Sequence, residues 1–394
     1  MDSIISRTLL VQLIIQVIVQ TVIINVAVAQ DTDDLNFTKI ISKYDDYKSE
    51  QHSVITEDGY ILKVFRLIQT DCLGKTKRRP VILMHGYVLS ADSWVVAGRK
   101  AGLGYLIADL CFDLWIGNFR DLEFWNYSHT ELGRYDLPAI IDYVRDTTNS
   151  SDVIYIGFSQ GAGSFYVMCS ERPGYSDKVS LMISIAPATR HLHTESLAFR
   201  LITRYAEIFR EDLMKAGIGE MLFKGSLLQT TLRLLCSIST TLYDISKDIF
   251  DAKTFHPGFV SKETLVAMSK TLPAGSSVQN SAHFGQLVVS SEFRKYDYGV
   301  NKNLQVYGFD EPPSYNLSAV TTPVLVIYGL NDAIVDSKDV LWLSKKLPNV
   351  LEVYRVKEPL FTHFDVCYSR FTKELLFPKV KEYLLRYQPS KYNN

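Results

Sequence analysis

The stretch Tyr155-Ile156-Gly157-Phe158-Ser159-Gln160-Gly161-Ala162-Gly163 leaves the chain few folds to choose from. An apolar β-type run, Val153–Phe158, stops at a serine set between two glycines, and small helix-compatible residues follow at once. A strand that becomes a helix within one residue crowds its neighbours, and glycines make room because they lack a Cβ. The G-x-S-x-G spacing between strand and helix is that of an elbow, which lifts a serine hydroxyl to the edge of a parallel sheet.

The rest of the chain agrees with such a sheet. Further strand candidates are Tyr60–Leu67, Pro80–His85, Leu110–Ile116, Val179–Ile185, Pro323–Tyr328 and Val350–Val356, several bounded by Gly, Pro or Asp. Segments such as Tyr135–Thr147 and Phe165–Glu171 between them suit helices, so a mostly parallel sheet covered on both faces is expected. The alternation stops after Ala186-Pro187-Ala188 and resumes at Val320. The interval reads as an insertion of helical, irregular character. Within it Leu228, Leu232 and Leu235 stand at helical spacing, with Leu227 beside them. Spacing alone favours a core helix over a lid across the serine.

A serine hydroxyl at neutral pH needs a base, a group that orients the base, and donors for the developing oxyanion. The partners of an elbow serine follow in the order acid, then histidine. Asp332 stands just after the strand candidate Pro323–Tyr328, and His363 is the last of eight histidines and the only one beyond Asp332. His363 is therefore expected as general acid–base and Asp332 as its orienter, with Asp336 and Asp365 as competing carboxylates. The backbone N–H of Gln160, at a helix N-terminus, is one oxyanion donor, and that of Tyr87, in His85-Gly86-Tyr87-Val88 after an early strand, is the second. His85 is expected to shape that loop. His191 and His193 form an H-x-H that reads as a surface turn and not a metal site.

The first residues have a different character. Arg7 precedes an apolar run from Leu9 that closes with Ala27-Val28-Ala29, as a secretory signal cut after Ala29 would; an uncleaved anchor is the alternative. Sequons at Asn36, Asn126, Asn149 and Asn316 fit a secreted or lumenal glycoprotein. The five cysteines are too few and too scattered to reveal a pairing. A formal net charge of -1 gives no basic excess for nucleic acid. With 47% hydrophobic residues among 394, the chain can bury a sizeable core.

The chain resembles the acid lipase family, which contains gastric and lysosomal acid lipases and many insect members. The resemblance lies in Thr56-Glu57-Asp58-Gly59-Tyr60-Ile61-Leu62, His85-Gly86, Tyr135-Asp136-Leu137-Pro138-Ala139, the elbow Gly157-Phe158-Ser159-Gln160-Gly161, Pro273-Ala274-Gly275-Ser276-Ser277-Val278-Gln279-Asn280, Tyr296-Asp297-Tyr298-Gly299, Asn331-Asp332 and His363-Phe364-Asp365. It implies an α/β-hydrolase core, a helical cap with a lid, hydrolysis of triacylglycerols or steryl esters at a lipid–water interface, and no metal or organic cofactor. It also moves Leu227, Leu228, Leu232 and Leu235 toward a lid. The expected organisation is a signal peptide at 1–29, core at 30–188, cap at 189–318 with a lid at about 217–248, and core again at 319–394. No stable membrane span is expected after signal cleavage, and the protein is expected to be secreted or lysosomal. The chain departs from the family in several places. Phe158 replaces a usual histidine, Cys111 a common glycine and Tyr87 a usual leucine. The loop from Gly117-Asn118-Phe119-Arg120-Asp121 to Phe124-Trp125 is short. A lipid carrier with lost turnover, or a small-ester carboxylesterase, would be the alternatives on this fold.

Overall fold

The computed structural model of the chain describes residues 35–74, 79–120, 126–226, 229 and 258–388. The expected signal, Leu227, Leu228, Leu232, Leu235 and Cys236 lie outside these.

The main sheet has eight strands in the order β1-β2-β4-β3-β5-β6-β9-β10. They are β1 (Tyr47–Ile55), β2 (Ile61–Gln69), β3 (Pro80–Met84), β4 (Asp113–Gly117), β5 (Val153–Phe158), β6 (Val179–Ile185), β9 (Val324–Tyr328) and β10 (Val350–Arg355). From β4 to β10 all neighbours are parallel, whereas β1 and β2 form an antiparallel hairpin and β2 meets β4 antiparallel. Every residue of β3 and β5 is buried, as continuous apolar runs in a sheet covered on both faces must be. Helices α1 (Leu103–Ala108), α2 (Leu137–Thr148) and α3 (Gln160–Glu171) connect the central strands.

β1 is absent from the strand candidates. Its sequence, Tyr-Lys-Ser-Glu-Gln-His-Ser-Val-Ile, lies at the sheet edge and buries only Tyr47 and Val54 fully. Such an edge carries little apolar signal. β4 begins three residues later than expected because Leu110-Cys111-Phe112 is a turn. Cys111 has φ +61° there, which accounts for a glycine being common at this position. Its sulfur pairs with Cys72, tying the end of the β1–β2 hairpin to the entry of β4.

Between β6 and β9 the described chain adds no strand to the main sheet. It carries α4 (Leu197–Lys215), α5 (Lys262–Thr271) and α6 (Val278–Leu287). A separate antiparallel pair forms from β7 (Glu220–Met221) and β8 (Ser276–Ser277). Helices α4 and α6 pack together, and Phe199 of α4 meets Phe284 of α6 at 5.7 Å between ring centroids.

Candidate active site

The elbow is as sharp as its glycines suggest. Ser159 has φ +52° and ψ -116° between the end of β5 and the start of α3. A non-glycine residue held there stores strain of about 1–3 kcal/mol, so its surroundings must over-determine it. They do so through hydrogen bonds. Ser159 N–H donates to the Ile185 carbonyl at 2.9 Å, and its own carbonyl accepts from Ala162, Gly163 and Ala188 N–H, each at 3.0 Å. A Cβ on Gly157 would come within 2.6 Å of Ala162 N, and one on Gly161 within 2.4 Å of the Met84 carbonyl at the end of β3. Both positions therefore exclude any side chain.

His363 follows β10 in a loop that returns over β5. Its Nε2 lies 3.0 Å from Ser159 Oγ and its Nδ1 2.7 Å from Asp332 Oδ2. Asp332 follows β9, and its Oδ1 accepts from the N–H groups of Ile334 and Val335 at 2.9 and 2.8 Å. A carboxylate acceptor on Nδ1 puts the imidazole proton there and leaves Nε2 to accept from the serine O–H. All three side chains are buried. The two competing carboxylates have other partners. Asp336 caps α7 (Ser337–Lys346) by accepting from Lys338 N–H, and Asp365 accepts from the amide and hydroxyl of Thr362. Phe158, where histidine is usual, lays its ring against His363 with centroids 4.7 Å apart.

Gln160 opens α3, where the first amides have no carbonyl within the helix to bond. Its side-chain Nε2 donates to Asn280 Oδ1 at 2.9 Å. On the other side, Gly86 lies so close that a Cβ on it would sit 3.0 Å from Ser159 Cβ. Tyr87 follows, its ring against Phe284 and its hydroxyl 2.7 Å from Ser281 Oγ. Burial pushes the Tyr87 phenol up to about 12. His85 is buried too, and burial lowers its pKa to about 4, so it is neutral at ordinary pH. Its Nδ1–H donates to the Gly86 carbonyl at 2.8 Å and its Nε2 accepts from Phe119 N–H at 3.3 Å, which bridges the loops after β3 and β4. A cavity of about 300 Å³ opens beside them, lined by His85, Gly86, Phe119, Tyr127, Gln160 and Asn280 among others.

The H-x-H pair diverges. His191 Nδ1 bonds the Ile334 carbonyl, while His193 Nδ1 lies 2.8 Å from Asp339 Oδ1, a carboxylate that also holds Arg190. His191 is buried and His193 has an acidic partner in Asp339, which corrects the expectation of a surface turn. The four sequon asparagines are all exposed.

Arg120 was not singled out as a site residue. Its buried guanidinium bonds Asp136 at 2.6 Å and Asp58 at 2.8 Å, and lies 3.9 Å above the Tyr60 ring. It anchors the chain where the shortened loop begins; residues 121–125 lie outside the described residues. The signal was present, since the stretches Thr56–Leu62 and Tyr135–Ala139 supply these partners, but nothing in sequence said that they meet.

Residues 37–98 match a family described as a partial alpha/beta-hydrolase lipase region, and residues 79–366 match the alpha/beta hydrolase fold. The chain is similar to Lipase 1 of Drosophila melanogaster, 35% identical over 365 residues that cover 89% of this chain and 80% of that protein. It is similar to the gastric triacylglycerol lipase of Homo sapiens, 32% identical over 363 residues covering 85% and 87%. Among solved structures, an epoxide hydrolase from Vigna radiata aligns with a TM-score of 0.50 at 15% identity over 86% of this chain and 97% of that one, a likeness of fold alone.

Proposed function

This chain belongs to the acid lipase family of α/β hydrolases and is a carboxylic ester hydrolase, and on that premise we propose that it cleaves lipid esters through an acyl-enzyme on Ser159. The observation that carries the reading is the unbroken hydrogen-bonded chain from Ser159 Oγ through His363 to Asp332, at 3.0 and 2.7 Å. Ser159 Oγ attacks the ester carbonyl carbon while His363 Nε2 takes the hydroxyl proton. The carbonyl oxygen becomes an oxyanion facing the N–H groups of Gln160 and Tyr87. Collapse expels the alcohol, which receives the proton from His363 Nε2. Water then attacks the acyl carbon by the same route and frees the carboxylic acid and Ser159. Asp332 orients the imidazole throughout and stabilises it when charged.

The lipid–water interface is supported by α4. Leu197, Leu201, Tyr205 and Ile208 recur every three or four residues on one face and are 65, 61, 50 and 64% exposed. An apolar stripe open to solvent marks a surface that meets another apolar phase. The cap at 189–318, with Leu227, Leu228, Leu232 and Leu235 as its lid, belongs to the same reading. A secreted or lysosomal glycoprotein is supported by the apolar run ending at Ala29, the exposed Asn36, Asn126, Asn149 and Asn316, and the Cys72–Cys111 bridge, which suits an oxidising compartment.

The test uses purified protein on emulsified triolein and on a dissolved short-chain ester, before and after a serine-reactive phosphonate. Hydrolysis of both, abolished by the reagent with a single adduct on Ser159 by peptide mass, is the expected result. Turnover that survives full phosphonylation of Ser159 would overturn the mechanism. Activity on the dissolved ester alone would overturn the lipid substrate.

A further inference from the structure

The two residues whose amides face the oxyanion are tethered through their side chains to neighbouring residues of one helix in the insertion. Gln160 Nε2 donates to Asn280 Oδ1 at 2.9 Å, and Asn280 Nδ2 donates in turn to Ser276 Oγ at 2.8 Å. Ser281 Oγ donates to the Ser277 carbonyl at 2.9 Å, so its lone pair is what the Tyr87 hydroxyl, 2.7 Å away, donates to. Asn280 and Ser281 lie in the first turn of α6, and that turn is itself pinned. Ser277 Oγ accepts from Asn280 N–H at 2.9 Å and donates to the Tyr127 carbonyl. Gln160, Asn280, Ser276, Ser277 and Ser281 are all buried, where an open polar geometry has no water to fall back on.

Neither tether is needed to make an α/β-hydrolase core. Ser159, His363 and Asp332 all hang from the main sheet. The amide of Gln160 opens α3 and that of Tyr87 sits on the turn after β3, where Val88 beside it has φ +54°. A turn held in a sparsely populated conformation needs outside contacts to stay there. The Tyr87 hydroxyl supplies one that a leucine at this position would lack.

We propose that Asn280 and Ser281 are positioning residues for ester hydrolysis: by holding the side chains of Gln160 and Tyr87, the first turn of α6 sets both backbone donors at the oxyanion, so the hole is completed across the boundary between core and insertion. The proposal rests on the reading of Ser159 as nucleophile with Gln160 and Tyr87 as donors. It makes a separable claim, because the tethers bond the side chains of Gln160 and Tyr87 and not the triad. Their loss acts on the transition state and leaves ground-state binding nearly unchanged.

The experiment measures kcat and KM on a dissolved short-chain ester, and the inhibition constant of a trifluoromethyl ketone, which forms a tetrahedral adduct on a nucleophilic serine. Folding of each variant is followed by thermal melting. Asn280→Ala is expected to lower kcat about 10- to 100-fold, since a donor moved by a fraction of an ångström keeps part of its effect, while KM changes less than about 3-fold. The ketone should weaken by the same factor as kcat. Tyr87→Phe, which keeps the ring and removes only the hydroxyl, should show the same pattern at about 3- to 10-fold. Ser281→Thr, which restores a hydroxyl, should stay near wild type where Ser281→Ala does not. A folded Asn280→Ala protein with wild-type kcat and ketone affinity would overturn the proposal. So would a loss confined to KM. If Asn280→Ala does not fold, Tyr87→Phe decides alone: an unchanged kcat there sinks the idea. Failure of the underlying reading looks different, because Ser159→Ala would then retain turnover.

Discussion

The sheet core and the segment inserted between β6 and β9 place their apolar residues by opposite rules. In β3 and β5 every side chain is buried. In α4, by contrast, only Phe199, Thr203 and Ala206 are buried, and four large apolar residues of one face stand in solvent. The core buries its apolar surface against itself, so its strands hold the chemistry rigidly. The described part of the insertion leaves one apolar face of α4 open, which is the face assigned above to the proposed lipid–water interface. The difference separates two kinds of failure. Damage to the core should abolish chemistry on any ester. Damage to the exposed face of the insertion should spare dissolved substrates.

The largest effect that tests this division is Ser159→Ala. It should leave the fold intact and lower kcat about 10⁴-fold or more on both emulsified and dissolved esters. Equal loss on the two substrates is the signature of core chemistry, and a residual rate near wild type in either assay would break the comparison. Asp332→Asn comes next. It replaces the acceptor that holds the His363 Nδ1 proton and should cost on the order of 10⁴ in kcat, again on both substrates. Asp336→Asn should cost little, because asparagine keeps the oxygen that caps α7. Asp365→Asn should act through the Thr362 loop and lower stability more than turnover. A crippled, fully folded Asp336→Asn enzyme would place the acid elsewhere.

Acid should sharpen the comparison through stability. Burial holds His85 of the core, and His191 and His283 at the insertion, near pKa 4. Their ordinary value is about 6.5. Depressed folded values mean that the unfolded chain binds more protons between those limits. The stability is therefore complete above about pH 6.5 and is lost as pH falls toward 4, by about 3 kcal/mol per histidine. Two of the three sit at the insertion, His191 against Phe199 and His283 against Tyr296. Melting followed by proteolysis should show α4 and α6 opening before the sheet as pH falls from 7 to 4. A midpoint independent of pH across that range would contradict the burial of these rings as neutral groups.

The smallest effect belongs to the α4 surface. Changing Leu197, Leu201 and Ile208 together to serine should leave kcat on a dissolved ester within about 2-fold, since exposed substitutions rarely disturb a fold. Activity on emulsified triolein should fall about 10-fold or more, because each leucine or isoleucine is worth about 1.5–3 kcal/mol when buried in an apolar phase. Unfolding of this variant, or an equal fall on both substrates, would return α4 to an ordinary packing role.

Legibility in the sequence followed the range of the interactions. The elbow is local: glycine spacing, an apolar run and the start of a helix all lie within nine residues, and Ser159 could be read from them directly. Asp332 and His363 were legible through their order and their places after strands, although sequence left Asp336 and Asp365 open, and only the fold shows that these two are occupied by α7 and Thr362. β1 was missed because an edge strand with a wet face has no apolar alternation to show. The Cys72–Cys111 bridge and the His193–Asp339 contact were missed because sequence spacing says nothing about two side chains brought together by a crossover.

By itself, then, the sequence determined which atoms could do the chemistry and on what kind of turn they would stand, because backbone conformation and hydrophobic periodicity are read over a few residues at a time. Only the tertiary structure decided how the scattered motifs combine. Asp58, Arg120 and Asp136 share one ion cluster around the buried Arg120 guanidinium, while Gln160 and Tyr87 both lean on the first turn of α6. These contacts span from 16 to 194 positions along the chain. Their geometry comes from strand order and from helices packing over the sheet, and no local preference of the residues concerned specifies either.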